Sequence, residues 1–447
     1  MRLRLISAVL ITLTFLSAPI AAREYSAEEY KYPYKDPYLA TATTAVLIDD
    51  TSSNKAPSSI IHVAGLRGRE RLPSLESRGN VSLALYKQDR PAPLMFVIPG
   101  LGSNPYFGVA PYLAKLFYRE GFHVVVLPST LSWNFALAAS RSGAPGYTPS
   151  DARDLYEVMQ KTLRLLRSSE KMKISSTNVV AISLGALVGA HLSIIDQTEH
   201  RIGISKFLLI NPPVDLAYAA QKIDEWNGLA KSMGEEQAKA VMAKAIAVVD
   251  SLSDQNPDDP ATFDKAGEKF APFTKENLEF LIAENLQSQL AELIYVTQVI
   301  QDQKLLKAPR NDKRARLAEA KNFTLADYNR KIALPLWQRQ DHGATLPSML
   351  ERGSLTPILG QLAANPRVHV MHNADDFFVQ SSSFDLLKET LGDQLTLYPT
   401  GGHLGNLWYP DNKEFALSYF RNGMVSGPVT TKQVSEVKSK ALVAPTR

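Results

Sequence analysis

Short, nearly continuous apolar runs recur along the chain, at residues 60–64, 81–86, 94–98, 123–127, 178–182, 206–210, 368–371 and, more weakly, 395–398. Several are bounded by Gly, Pro or Asn. Their lack of strict alternation predicts strands buried on both faces. Helical patterns separate them. Residues 111–120 place apolar side chains at 112, 113, 116 and 117, and residues 151–168 place them at 155, 158, 159, 163 and 166. Residues 184–195 are apolar nearly all round, which predicts a buried helix. Strand–helix alternation of this kind predicts an α/β fold built on a mostly parallel sheet.

The alternation stops over residues 216–365. Leu278, Leu281, Ile282 and then Leu290, Leu293, Ile294 repeat at i, i+3, i+4. That spacing predicts helices inserted after strand six as a cap, between two halves of the sheet domain at 59–215 and 366–424. A separate helical domain with its own core is the alternative reading. Residues 23–58 are rich in Tyr, Pro, Ser and Thr and predict an extended N-terminal arm. Residues 425–447 lack periodicity and predict a disordered tail.

Residues 1–22 stand apart from the fold. Arg2 and Arg4 precede an uncharged, mostly apolar run of 14 residues, then Pro19 and small residues at 21 and 22. This is the layout of a secretory signal peptide. The run falls short of the roughly 20 residues that span a bilayer. Export to the periplasm or outside the cell is therefore the expectation, with an uncleaved anchor as the alternative.

The composition is that of a globular chain, 45% hydrophobic and 21% charged. The sequence contains 0 Cys, which removes disulfides, thiol nucleophiles and thiolate metal sites. The formal charge is only +4, with no basic block, so a nucleic-acid surface is not indicated.

Candidate chemistry sits at the ends of the predicted strands. The run ending at Ile182 leads into Ser183, Leu184 and Gly185, with Ala181 two residues before the serine. A serine at a sharp strand-to-helix turn has its hydroxyl lifted clear of the sheet edge. The helix N-terminus that follows offers unpaired N–H groups. A plain helix cap is the alternative use of such a serine. Of the 8 histidines, His403 alone lies in a glycine-rich loop, Gly401-Gly402-His403-Leu404-Gly405. Leu94 begins a strand that ends in Pro99-Gly100-Leu101-Gly102, and residues 368–371 lead into Asn373-Ala374-Asp375-Asp376.

These four loops resemble those of the α/β-hydrolase superfamily, in its esterase and lipase branches. Ala181 departs from the family's G-x-S-x-G elbow, and Pro-Gly stands where His-Gly is common. The resemblance covers residues 60–215 and 366–422. It implies Ser183 as nucleophile, His403 as base and Asp376 as acid, in the family's order. Asp375 is the fallback acid, His372 a competing base, and Asp215 an alternative acid better read as a helix N-cap. The resemblance implies an oxyanion hole from the N–H groups of Leu101 and Leu184. It requires no metal and no organic cofactor.

The implied activity is hydrolysis of a small-molecule or lipid ester through an acyl-enzyme. A lipid substrate would also allow peripheral membrane association. Tyr106, Phe107, Trp133, Phe377 and Phe378 lie on loops near the expected pocket mouth and are candidates for substrate contact, with ordinary packing as the alternative. An inactive scaffold serving as a binding protein, and a peptidase or thioesterase on the same triad, are the competing functions.

Overall fold

The computed structural model of the protein describes residues 21–422 except 49–55, 70–78, 102, 104–105, 107 and 258. The expected leader and tail, at 1–22 and 425–447, lie almost wholly outside the described residues. Nine strands form one sheet: β1 (Arg23–Glu24), β2 (Ser59–Val63), β3 (Val81–Tyr86), β4 (Ala92–Ile98), β5 (His123–Val126), β6 (Ile174–Ile182), β7 (Lys206–Ile210), β8 (Val368–Asn373) and β9 (Leu395–Tyr398). Their order is β1-β9-β8-β7-β6-β4-β5-β3-β2. Among the described strands, only β3 runs against its neighbours.

The central strands read as continuous apolar runs because alternate residues enter different cores. Leu94, Phe96, Ile98, Val179, Ala181, Phe207 and Leu209 face one core. Met95, Val97, Val180, Ile182, Leu208 and Ile210 face the other. Burying each such side chain contributes about 1.5–3 kcal/mol.

The first helix is α1 (Pro37–Leu47), followed by α2 (Val109–Arg119), α3 (Trp133–Ala138), α4 (Thr148–Ser168) and α5 (Leu184–Glu199). Helices α4 and α5 cover the first face, while α2 and the helix Pro410–Asn422 cover the second. The stretch between β7 and β8 folds into α6 (Leu216–Asn227), α7 (Leu229–Met233), α8 (Glu235–Leu252), α9 (Pro260–Phe270), α10 (Lys275–Gln301) and shorter helical segments up to Ala363. Its apolar residues do not form a separate core. Ile223, Trp226, Leu290 and Ile294 pack with Leu131, Leu137 and Phe378 of the sheet domain, and α8, α9 and Leu278 of α10 join the second-face core.

The N-terminal arm departs from the sequence expectation. Residues 30–34 are extended, with Tyr30, Tyr32 and Tyr34 buried at alternate positions. The chain then enters α1, where an extended arm was expected. Asp36 caps this helix by accepting the N–H groups of Tyr38 and Leu39, and Pro37 opens it. The helix escapes a periodicity search because it has no polar face. It is wedged against α8, α9 and α10, and Ala40, Thr43, Val46 and Leu47 are all buried.

Candidate active site

Strand β6 ends at Ile182 and α5 begins at Leu184, so Ser183 makes the whole turn. It holds φ 54° and ψ −129°, a conformation that costs a non-glycine residue about 1–3 kcal/mol. Its N–H donates to the Ile210 carbonyl at 2.9 Å, tying the turn to β7. Gly185 makes the turn sterically feasible, since a Cβ there would lie 2.4 Å from the carbonyl oxygens of Ile98 and Pro99. The Ala181 methyl is accommodated one helical turn further on. A Cβ at Gly189 would lie 3.1 Å from that of Ala181, and glycine leaves the space open.

The other two loops meet this turn. His403 Nε2 lies 2.8 Å from Ser183 Oγ, and His403 Nδ1 lies 2.9 Å from Asp376 Oδ2. An ionised carboxylate only accepts, so Nδ1–H donates to Asp376 and Nε2 is left to accept the serine proton. Asp376 is fully buried at its side chain and also accepts from Asn211 Nδ2 at 2.8 Å and from the Phe378 N–H at 3.0 Å. Burial pushes its carboxyl up. The charge and hydrogen bond of His403, with His372 and the Phe378 N–H, outweigh burial and hold it below the usual range.

Asp375 has a different task. Its carboxylate accepts the N–H groups of Gly401 at 3.1 Å and Gly402 at 2.8 Å, so it carries the histidine loop. Burial raises its pKa to about 6, against the pull of those two N–H groups. Gly402 has φ 56°, and a Cβ there would lie 2.1 Å from the Pro37 carbonyl. Behind the loop, Asn373 Nδ2 donates to the Gly402 carbonyl, and Asn406 links Asn373 to the Tyr30 hydroxyl.

His372 does not compete as base. It is fully buried, and its Nε2 lies 3.0 Å from the Pro212 carbonyl, which can only accept. That places the proton on Nε2, while Nδ1 accepts the Asn373 N–H at 3.0 Å. Burial lowers its pKa and keeps it neutral. Asp215 caps α6 by accepting from Ala217 and Tyr218, away from His403.

Leu101 and Leu184 line a cavity of about 600 Å³ together with Ser183 and His403. Gly100 lies against the serine, since a Cβ there would meet Ser183 Cβ at 2.7 Å. Of the five aromatic candidates, Phe378 lines the cavity and turns its edge to His403, ring centroids 4.8 Å apart. Phe377 stacks on Tyr38 at 5.0 Å and packs edge-on against Trp226, joining α1 to α6 instead of lining the cavity. Tyr106 and Trp133 do not line it either. Trp133 is the first residue of α3, which buries Phe135 to Ala138 and leaves the indole 38% exposed. Phe107 lies outside the described residues.

Two site residues carried no recognisable motif. Asn211 follows β7 with φ 50° and holds the acid. Thr41 of α1 accepts the His403 N–H on its hydroxyl at 3.0 Å. The turn Asn211-Pro212-Pro213 was a visible strand end, and the Asp36-Pro37 pair was a visible helix start.

The mostly parallel sheet, the serine at the turn from β6 into α5, and the chain order Ser183, Asp376, His403 fit the α/β-hydrolase fold. The chain matches no protein-family model and no curated protein. Among solved structures it is similar to an esterase from the archaeon Pyrobaculum calidifontis, at 13% identity over 93% of this chain and 95% of that one, with a TM-score of 0.40. It is also similar to brefeldin A esterase, a bacterial homologue of human hormone-sensitive lipase, at 13% identity over 90% and 88%, with a TM-score of 0.37. The acylaminoacyl peptidase of Pyrococcus horikoshii matches at 10% identity over 86% of this chain and 44% of that one, with a TM-score of 0.42.

Proposed function

We propose that the protein is a serine hydrolase that cleaves carboxylic esters of apolar acyl groups through Ser183, His403 and Asp376. One observation carries the reading. The His403 ring bridges Ser183 Oγ at 2.8 Å and a buried carboxylate at 2.9 Å, at the wall of a cavity large enough for a small-molecule ester.

The geometry supports the following sequence. His403 Nε2 takes the Ser183 proton as Oγ attacks the ester carbonyl. Asp376 holds the ring and stabilises the imidazolium. The N–H groups of Leu101 and Leu184 receive the oxyanion, and the α5 N-terminus adds partial positive charge. His403 then protonates the leaving alcohol, and water, activated by the same ring, releases the acid.

The apolar lining supports an acyl substrate. Ile48 at the end of α1, Met242 and Val249 of α8, Phe270 of α9 and Leu281 of α10 all reach the cavity. The leader-like pattern of residues 1–22 supports export, which makes lipid or envelope esters the natural class. The deciding experiment is labelling by a fluorophosphonate, with Ser183→Ala as control. Wild type labels and the variant does not. Equal labelling of both would reject Ser183 as the nucleophile.

A further inference from the structure

The cavity is not uniform in chemistry. Its α1, α8, α9 and α10 side is mostly hydrocarbon, with Thr41, Thr44, Asp250 and Asn285 as its polar members. Its other side is formed where α4, α6 and the helices Leu325–Tyr328 and Leu346–Gly353 pack together. There Thr148, Asp151 and Asn329 line the same cavity as Ser183. They are only 3%, 4% and 7% exposed.

Buried polar groups normally find partners within the protein. Here the pairing is incomplete. Asp151 Oδ2 accepts the Gly146 N–H at 2.7 Å. Its second oxygen, the Asn329 amide and the Thr148 hydroxyl form no side-chain hydrogen bond with another described residue. Asn329 opens a π-helical turn, Asn329–Ala333, a distortion that often re-aims side chains at functional positions. Its Oδ1 lies over the Gly146 turn, 3.7 Å from where a Cβ of residue 146 would sit. These atoms face the cavity, where a ligand with matching groups can bond to them.

We propose that this side of the cavity is a recognition site for an uncharged, hydroxyl-bearing part of the substrate, opposite the hydrocarbon side that takes the acyl chain. The inference rests on the esterase reading for what the two parts are, and it names the alcohol part. The charge pattern disfavours an anion. Among the described residues no Lys or Arg lines the cavity, while Asp250 does, so a phosphate or carboxylate would meet no cation there. Burial, reinforced by nearby Asp154, pushes the Asp151 carboxyl well above its usual range. A carboxyl, an amide and a hydroxyl together donate and accept, which suits alcohol groups.

Two non-hydrolysable ethers test this by calorimetry, 1-O-hexylglycerol against hexyl propyl ether. The wild type should bind the glyceryl ether about tenfold or more tightly. Asn329→Leu should remove that difference and leave the propyl ether unchanged. Asp151→Asn, which keeps the shape and a hydrogen-bonding group, should preserve it. No preference in the wild type, including no binding of either ether, overturns the proposal. So does an equal loss of both ethers in Asn329→Leu. The readout needs no turnover. A preference that persists in a protein without esterase activity would leave the polar site standing and reject the hydrolase reading instead.

Discussion

The carboxylate of Asp375 accepts the N–H of Gly402 at 2.8 Å, so the residue beside Asp376 positions the loop that carries His403. The two adjacent carboxyls are shifted in opposite directions. Asp376 is held below the usual range by His403, against burial, whereas burial raises Asp375 to about 6.

The raised group gives a pH signature. Between its unfolded value of 3.8 and about 6, Asp375 is protonated in the folded protein and ionised in the unfolded chain. The folded state binds the extra proton, so this residue's contribution to stability falls as pH rises through that window and stays reduced above it. Asp375→Asn keeps an acceptor and removes the charge. Relative to wild type, the variant should be more favourable at pH 7 than at pH 4.5 by about 1–3 kcal/mol in urea unfolding. An identical difference at both pH values would show that Asp375 is not raised.

Asp376→Asn should lower kcat by about 10³–10⁴-fold with little change in KM, because an amide cannot hold the His403 tautomer. It should also leave fluorophosphonate labelling slow but present. A full loss of folded protein on near-ultraviolet circular dichroism would instead assign Asp376 a purely structural task.

Thr41 connects the arm to the chemistry. Its hydroxyl donates to the Pro37 carbonyl at 2.8 Å and accepts the His403 N–H. Thr41→Val has the same shape but leaves that N–H unpaired. Its kcat should drop about tenfold, with about 1 kcal/mol of stability lost, and Thr41→Ser should restore both. Unchanged kcat in the valine variant would separate α1 from catalysis.

The legibility of these features in the sequence follows their physics. The central strands were legible because burial on two faces leaves runs such as Phe207–Ile210 without a polar break. The cluster of Ser183, Asp376 and His403 was legible because each follows a strand, and Ser183 and His403 also lie beside glycines. Asn211 and Thr41 were not, since each acts on a partner 165 or 362 positions away and neither lies in a glycine-marked loop. Tyr106, Trp133 and Phe377 turned out not to line the cavity for a related reason. Position on a loop says that Trp133 is near the rim, but the face of α3 that packs decides where its ring points. Ala181 looked like a weakened motif because its compensation, Gly189, lies eight residues on.

The hydrocarbon side of the cavity makes the last prediction quantitative. Each methylene moved from water into such a lining contributes about 0.8 kcal/mol, or about fourfold in kcat/KM. A p-nitrophenyl ester series should therefore rise by up to that factor per carbon until the roughly 600 Å³ cavity is filled, then level. Ala245 of α8 is buried beside Met242 and Val249 on this lining, so Ala245→Phe should shorten it. The butyrate ester should react within about twofold of wild type, and the decanoate ester should lose about tenfold or more. Equal losses on both esters would mean that the acyl chain does not run along α8, and a melting temperature unchanged from wild type would exclude misfolding as the cause.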